Sequence, residues 1–535
     1  MTSETSTRTD HRHHLLAKGA VAAIVLSVLL TIAIGLMGPS AMVPALDGPS
    51  WQPPYSLALH PAPHLVIALA AAAIVFGGLG LLGGLLAWHT TWSSTASSGT
   101  APSRGETQAA GVSVSSLARV LVLVGCVAAG VLAFLPPSGS ADHLNYAAYG
   151  RMVMLDVDPY AHGAVDLPGD PVADAVEVPW REEPSVYGPV ATAVQALAAW
   201  IGGDSVRLTI FVLALVNSAA FILTALLLDR LTRDSPALRL RAALLWTANP
   251  LLLYQLVAGM HVDTLAIACM VAALLARGRP AGSGLLLGLG VAIKVNAGLV
   301  ALGHAWELRR KPARLAVTAG VALAVVAVGY VLAGPNVFDQ VSRASKSISF
   351  ASFWKLVQGW FQSIIGSGAY RGEIQIGALL VIVLLAWGLF RLASRTAWAQ
   401  RRPGKGDQVF DPEVGASGLG APGVKVSGLG APEVGAVVVV AYLFATPYIL
   451  PWYDGLAFAL LAMVAASGVD LFLAGHLIVL SLAYLPARVA DQPEDLGWML
   501  DVVRKQVAPW ALLLLTAALW WWAWRAGGRG RTRPG

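Results

Sequence analysis

Charge is scarce in this sequence. Only 12% of its 535 residues are Asp, Glu, Lys or Arg, about half the share of roughly 25% found in soluble globular proteins. That shortfall, with 56% hydrophobic residues, excludes a soluble domain and leaves a polytopic membrane protein whose contacts are mostly helix on helix and helix on lipid. Cysteine is scarcer still. Cys126 and Cys269 both lie inside apolar runs, so neither a disulfide framework nor a thiolate metal site is implied. No His/Cys/Asp/Glu spacing typical of a metal site occurs, so no cofactor is indicated, and isolated carboxylates leave only a divalent cation open. The net charge of +6 comes from Lys and Arg in short links between apolar segments. Such a pattern sets topology and needs no nucleic-acid partner.

What is present is a succession of apolar runs. Taking about 20 residues per crossing, spans fall near 18–38, 64–88, 116–136, 206–229, 240–258, 262–277, 315–333, 374–393, 435–450, 455–469, 471–487 and 507–525. The fold class is therefore all-α, with about twelve transmembrane helices plus re-entrant or interfacial ones. Residues 1–17 form a polar cytoplasmic tail, 18–394 the first membrane part, 395–434 a Gly/Pro-rich linker that repeats SGLGAP, 435–526 the second membrane part and 527–535 a basic tail. The linker has no apolar period and reads as disordered, as does the Ser/Thr-rich link at 90–115. The positive-inside rule puts basic clusters such as Arg230–Arg241 and Arg309–Arg314 in the cytosol. Loops 137–187 and 334–372 are then external, the second carrying an amphipathic interfacial helix around Trp354 and Trp360.

Two stretches do not suit a full crossing. Residues 188–203 are short and begin and end outside, which reads as interfacial or re-entrant. Residues 282–304 are flanked by basic clusters and interrupted at Lys294 and Asn296. We read them as a hairpin of two half-helices, a backbone tolerated only against protein or a wet cavity.

The external loop that begins PSGSADHLNYAAYGRM and ends VPWREEPSVYGP concentrates the ionisable and aromatic residues, and chemistry is expected there. Asp142, just past the third span, is placed to deprotonate a hydroxyl at the membrane surface. As an Asp before a helix-compatible run it could equally be an N-cap. Arg151 suits a departing phosphate, or a surface ion pair with Asp156. Tyr146, Tyr160, Trp180, Arg181 and Tyr187 could pack on a sugar or headgroup, or anchor at the interface. Lys294 is an ammonium within an apolar run, costing about 2.5–3.5 kcal/mol even on the lenient insertion scale. It must pair with Asp263 or hold a phosphate. His261 shares the turn with Asp263, and Trp452-Tyr453 at an outer helix end could complete a pocket wall. His304 and His476 read as packing or interfacial residues.

Taken in order, Asp142…Tyr146…Gly150…Asp158-Pro159-Tyr160, Trp180-Arg181…Tyr187-Gly188-Pro189, Asn249-Pro250, His261-Val262-Asp263, Ala292-Ile293-Lys294 and Pro451-Trp452-Tyr453 resemble GT-C glycosyltransferases. The resemblance is to the actinobacterial polyprenol-phosphate-mannose-dependent α-1,6-mannosyltransferases. It implies an inverting glycosyltransferase on the outer face of the cytoplasmic membrane, with a polyprenyl-phosphate sugar donor and a lipid-linked glycan acceptor of the lipomannan kind. Asp142 would be catalytic, Arg151, Lys294 and His261 would bind the donor phosphate, and Tyr146, Tyr160, Trp180, Arg181, Tyr187, Asp263, Trp452 and Tyr453 the substrates. The competing readings are a transferase of another polyprenyl-linked sugar such as arabinose, a secondary transporter and a non-catalytic envelope scaffold.

Overall fold

Regular structure is helical throughout the described residues, which in this computed structural model are 2–97, 104–178, 180–338, 347–399 and 429–527. The repeat-bearing part of the linker, Arg401, Arg402 and Lys405, and the tail beyond residue 527 lie outside them. Seven of the twelve expected spans are single helices long and apolar enough to cross a membrane: Leu15–Met37, Pro63–Thr91, Val114–Ala133, Val206–Thr232, Pro312–Ala333, Arg371–Arg395 and Glu494–Ala526. The other five stretches are shorter or broken, because Pro, Gly and polar residues interrupt their backbone hydrogen bonding.

In chain order the helices are α1 (Thr2–Met37), α2 (Pro63–Ser97), α3 (Arg104–Ala133), α4 (Asp142–Met154), α5 (Pro189–Gly202), α6 (Val206–Thr232) and α7 (Pro236–Leu245). A single turn, α8 (Pro250–Leu252), runs into a π-helix at Leu253–Ala258 and is followed by α9 (Asp263–Leu275) and α10 (Pro280–Ile293). Then come α11 (Ala301–Leu308), α12 (Pro312–Ala333), α13 (Trp354–Ile364), α14 (Arg371–Ala399), α15 (Ala431–Leu443), α16 (Asp454–Ala462), α17 (Val469–Tyr484) and α18 (Ala508–Ala526).

Small residues bring the spans together, as expected where lipid competes for every apolar surface. At Gly80 a methyl group would sit 2.9 Å from the Ile24 amide nitrogen, and Ser27 Oγ donates to Ala73 O at 2.6 Å, so α1 and α2 touch backbone to backbone. Gly284 and Gly288 play the same part where α10 meets Thr318 and Ala322 of α12.

The stretch 282–304 folds back on itself. Its two limbs meet at Ser283 Oγ and His304 Nε2, 3.0 Å apart, where a straight helix would separate them by about 30 Å. Lys294 adopts extended backbone at the tip and a 3-10 turn, Val295–Val300, begins the return. Both ends of this hairpin therefore lie at one end of the bundle, the end where Arg277 meets Glu307 and Arg314 donates to Gly278 O. The same end buries Arg241 against both oxygens of Asp470, at 2.7 Å each. The opposite end carries the loop before α4, the hairpin tip and the turn before α16. Helix α13 packs beside α18 there, with Trp354 Nε1 donating to Ala445 O at 2.7 Å.

Candidate active site

The approach to α4 is held from two sides. The Ser138 amide donates to Ala258 O at 2.8 Å and that of Gly139 to Met42 O at 2.9 Å. Gly139 has φ +79°, and a side chain there would also strike the Tyr254 ring, so glycine is required. The helix then opens with Asp142 as its first residue, not as its cap. Ala141 occupies the cap position without a side-chain hydrogen bond, and Ser140 Oγ accepts the Asp142 amide at 3.2 Å. The carboxylate is left to face the neighbouring elements, with Oδ2 3.5 Å from His261 Nδ1. Burial raises this carboxyl, but His261, then Lys294 and His143, outweigh it and hold the group below its ordinary value.

His261 reaches that position through an irregular turn. Asn249 Oδ1 caps α8 by accepting the amides of Leu251 and Leu252, and the chain widens into the π-helix, a feature common at functional sites. Asn217 Nδ2 supports it by donating to Leu256 O at 2.6 Å. Gly259 follows, where a methyl group would fall 2.5 Å from Gln255 O, and Met260 takes a left-handed φ of +54°. The His261 ring then stacks on Trp452 with centroids 3.5 Å apart and planes 13° from parallel.

The hairpin tip supplies the cation. Lys294 Nζ donates to both oxygens of Asp263 at 2.6 Å and lies 4.3 Å from the ring centroid of Tyr453 and 5.8 Å from that of Tyr187. The Tyr187 hydroxyl donates to that of Tyr146 at 3.2 Å. The next residue ties the loop before α5 to the hairpin: the Gly188 amide donates to Ile293 O at 3.0 Å, and a methyl group at 188 would overlap Ala292 O at 2.2 Å. Beside the ion pair is a small pocket whose lining includes Asp263, Lys294, Asn296, Tyr442, Tyr453 and Leu456.

Asp142, Tyr146, Tyr187, His261, Asp263, Lys294, Trp452 and Tyr453 thus form one contiguous cluster. The other residues singled out from the sequence lie apart from it. Arg151 sits nine residues along α4 from Asp142, about 13 Å at the helical rise. It is paired with Asp170 at 2.7 Å and Asp204 at 2.6 Å, not with Asp156. The Tyr160 hydroxyl bonds Thr192 Oγ1 at 2.8 Å. Arg181 donates to the carbonyls of Val176 and Asp174, and Trp180 is exposed.

Four further residues stand outside the site residues singled out from the sequence. Tyr484 meets Trp452 edge to face at 5.1 Å. His143 is fully buried with neither ring nitrogen hydrogen-bonded among the described residues. Arg488, bonded to Glu177 and Ser40 O, joins three loop segments. Asp454 pairs with His476 at 2.8 Å, so His476 does more than pack. Only the Trp-Tyr-Asp run gave a hint of the last. Among the described residues no group of three or more His, Cys, Asp or Glu is placed to hold a metal ion.

A family model described as "Alpha-(1->6)-mannopyranosyltransferase, N-terminal domain" matches residues 26–310. The chain belongs to this family. Three curated mannopyranosyltransferases show the degree of likeness. The Mycobacterium tuberculosis alpha-(1->6)-mannopyranosyltransferase A is 27% identical over 262 residues, 48% of this chain and 48% of that protein. Its Corynebacterium glutamicum namesake is 27% identical over 170 residues, 31% of this chain and 34% of that protein. The C. glutamicum alpha-(1->6)-mannopyranosyltransferase B is 26% identical over 205 residues, 38% of this chain and 31% of that protein. The chain thus spans half or less of the length of these relatives. No solved structure matches. The mannopyranosyltransferase region contains Asp142, His261, Asp263 and Lys294, whereas Trp452 and Tyr453 are contributed from beyond it.

Proposed function

We propose that this membrane protein is an inverting mannosyltransferase. It would move mannose from a polyprenyl-phosphate mannose to a lipid-anchored mannoside acceptor, forming an α-1,6 linkage on the outer face of the cytoplasmic membrane. The observation that carries the reading is the Asp142 carboxylate, uncapped and facing the cluster that includes a lysine at a helix break and a wall of aromatic rings.

In this reading the acceptor hydroxyl gives its proton to Asp142 as its oxygen attacks the anomeric carbon. The bond from that carbon to the phosphate oxygen breaks on the opposite face, and the phosphate leaves with the electron pair. A β-linked donor yields an α-linked product, and a phosphate leaving group needs little protonation. General-base help of this kind is worth about 10²–10⁴-fold, roughly 3–5 kcal/mol of barrier. Lys294 would meet the phosphate, in competition with Asp263, while Tyr453, Tyr187 and Trp452 would flank the sugar.

The test is transfer of labelled mannose from polyprenyl-phosphate mannose in membranes carrying the protein, with polyprenyl-phosphate arabinose as a second donor. Asp142→Asn is expected to abolish transfer. Full activity in that variant removes Asp142 from the mechanism, and direct use of a nucleotide sugar ends the reading altogether.

A further inference from the structure

His261 reads from the sequence as a phosphate ligand, yet its setting suits another task. The ring is fully buried and neither nitrogen has a hydrogen-bond partner among the described residues, an arrangement that is unfavourable unless a partner completes it. One face lies flat on Trp452. A methyl group at 259 would come within 3.0 Å of Cδ2 and 3.1 Å of Nε2, so Nε2 is turned into the Gly259 turn. Nδ1 is the nitrogen directed to the site, and it faces Asp142 Oδ2 at 3.5 Å. A phosphate could reach Nδ1 only by displacing that carboxylate.

We propose that His261 is a positioning residue for Asp142, its imidazole wedged between Trp452 and Gly259 so that Nδ1 fixes the direction of the carboxylate that takes the acceptor proton. The inference rests on Asp142 being the base. A contact of 3.5 Å is loose for a hydrogen bond, and such contacts tighten in the reacting complex. Trp452 is then the backing that prevents the ring from turning away, and its own seat is completed by Tyr484.

This role has a signature in pH. Asp142 must be ionised to act, so activity falls as pH drops through its pKa. His261, Lys294 from the hairpin tip and His143 from α4 hold that pKa down against burial, and Arg488 bears on His143. Around Asp142 the phenols of Tyr146, Tyr149, Tyr187, Tyr448 and Tyr484 also register its charge. Phenols ordinarily titrate near 10, too high to set an acid limb. Removing the imidazole leaves burial less opposed, so the acid limb should move to higher pH.

The experiment measures transfer by full-length protein in membranes, from about pH 2.5 to about pH 9 so that the window reaches below the ordinary carboxyl range, for the wild type, His261→Phe, His261→Asn and Asp142→Asn. His261→Phe keeps a ring on Trp452 and should lower kcat by about tenfold or more, with donor KM unchanged and the acid limb displaced upward. His261→Asn, whose amide can replace Nδ1, should regain part of the rate, and it decides the matter if the Phe variant does not fold. Wild-type rates in both variants, a uniform fall with an unmoved limb, or a rise in donor KM with kcat unchanged would each overturn the proposal. If Asp142→Asn keeps its activity, the reading of Asp142 has failed; if it is dead while the His261 variants behave as wild type, only the present inference has.

Discussion

The Lys294–Asp263 pair offers a quantitative test, because it separates a strut from a ligand. Both side chains are almost withdrawn from solvent, at 13% and 7% exposure, and the carboxylate is engaged through both oxygens. Replacing one partner strands the other charge, which for buried pairs costs about 3–5 kcal/mol. The cation–π contact of Lys294 with Tyr453 at 4.3 Å adds about 1 kcal/mol to the loss when the lysine goes. Lys294→Met and Asp263→Asn should therefore each lower the unfolding midpoint in detergent. The double variant, with no charge left to strand, should recover most of it, giving a coupling of at least about 5 kcal/mol, the two single losses together less what the double variant still lacks.

Transfer activity then distinguishes the roles. If Lys294 meets the donor phosphate, the double variant is stable but has lost at least about tenfold in kcat/KM, or roughly 1.4 kcal/mol. Full recovery of transfer would make the pair a strut and leave the phosphate to other groups. Single variants as stable as the wild type would refute the reasoning at its base, since no uncompensated charge would then have been buried.

Three other outcomes are expected. Gly188→Ala should lower transfer about tenfold by forcing the loop before α5 off the hairpin, at about 1–3 kcal/mol of strain, whereas Gly320→Ala, with none of the described residues within 4 Å of an added methyl group, should leave transfer unchanged. Arg151→Ala should loosen the loop pinned through Asp170 and Asp204, read as faster limited proteolysis, with donor KM within about threefold of wild type; a KM rise matching that of Lys294→Met would return Arg151 to the phosphate site. Val178→Cys, on a residue 70% exposed, should react with a membrane-impermeant maleimide on intact cells. Labelling only after permeabilisation would put the outer loop in the cytosol and end the functional reading.

The sequence by itself determined the solvent of this protein and the rhythm of its chain. Runs of apolar residues can leave water only as helices when lipid surrounds them, and the break at Lys294 was legible because an ammonium and an amide interrupt such a run. The density of Asp, Tyr and Trp in the loop before Gly188 drew attention to Asp142, Tyr146 and Tyr187, which join the cluster, and equally to Tyr160, Trp180 and Arg181, which lie apart from it. Both features depend on neighbours within a few residues, where composition and spacing carry the information.

Tertiary structure decided which polar group meets which. Nothing in the order of residues says that Arg151 is taken by Asp170 and Asp204, and the order left Lys294 open between Asp263 and a phosphate, where the packed chain closes it on Asp263 with Tyr453 over it. Nor does it say that His261 lies on Trp452, a residue from the far part of the chain. Those contacts depend on where helices stop and how the broken ones turn: a π-helix before Gly259, an extended residue at the hairpin tip, a 3-10 turn under Trp452. A shift of one residue rotates a helical side chain by about 100°, so partners across the bundle are chosen by the packed register, which hydropathy does not encode.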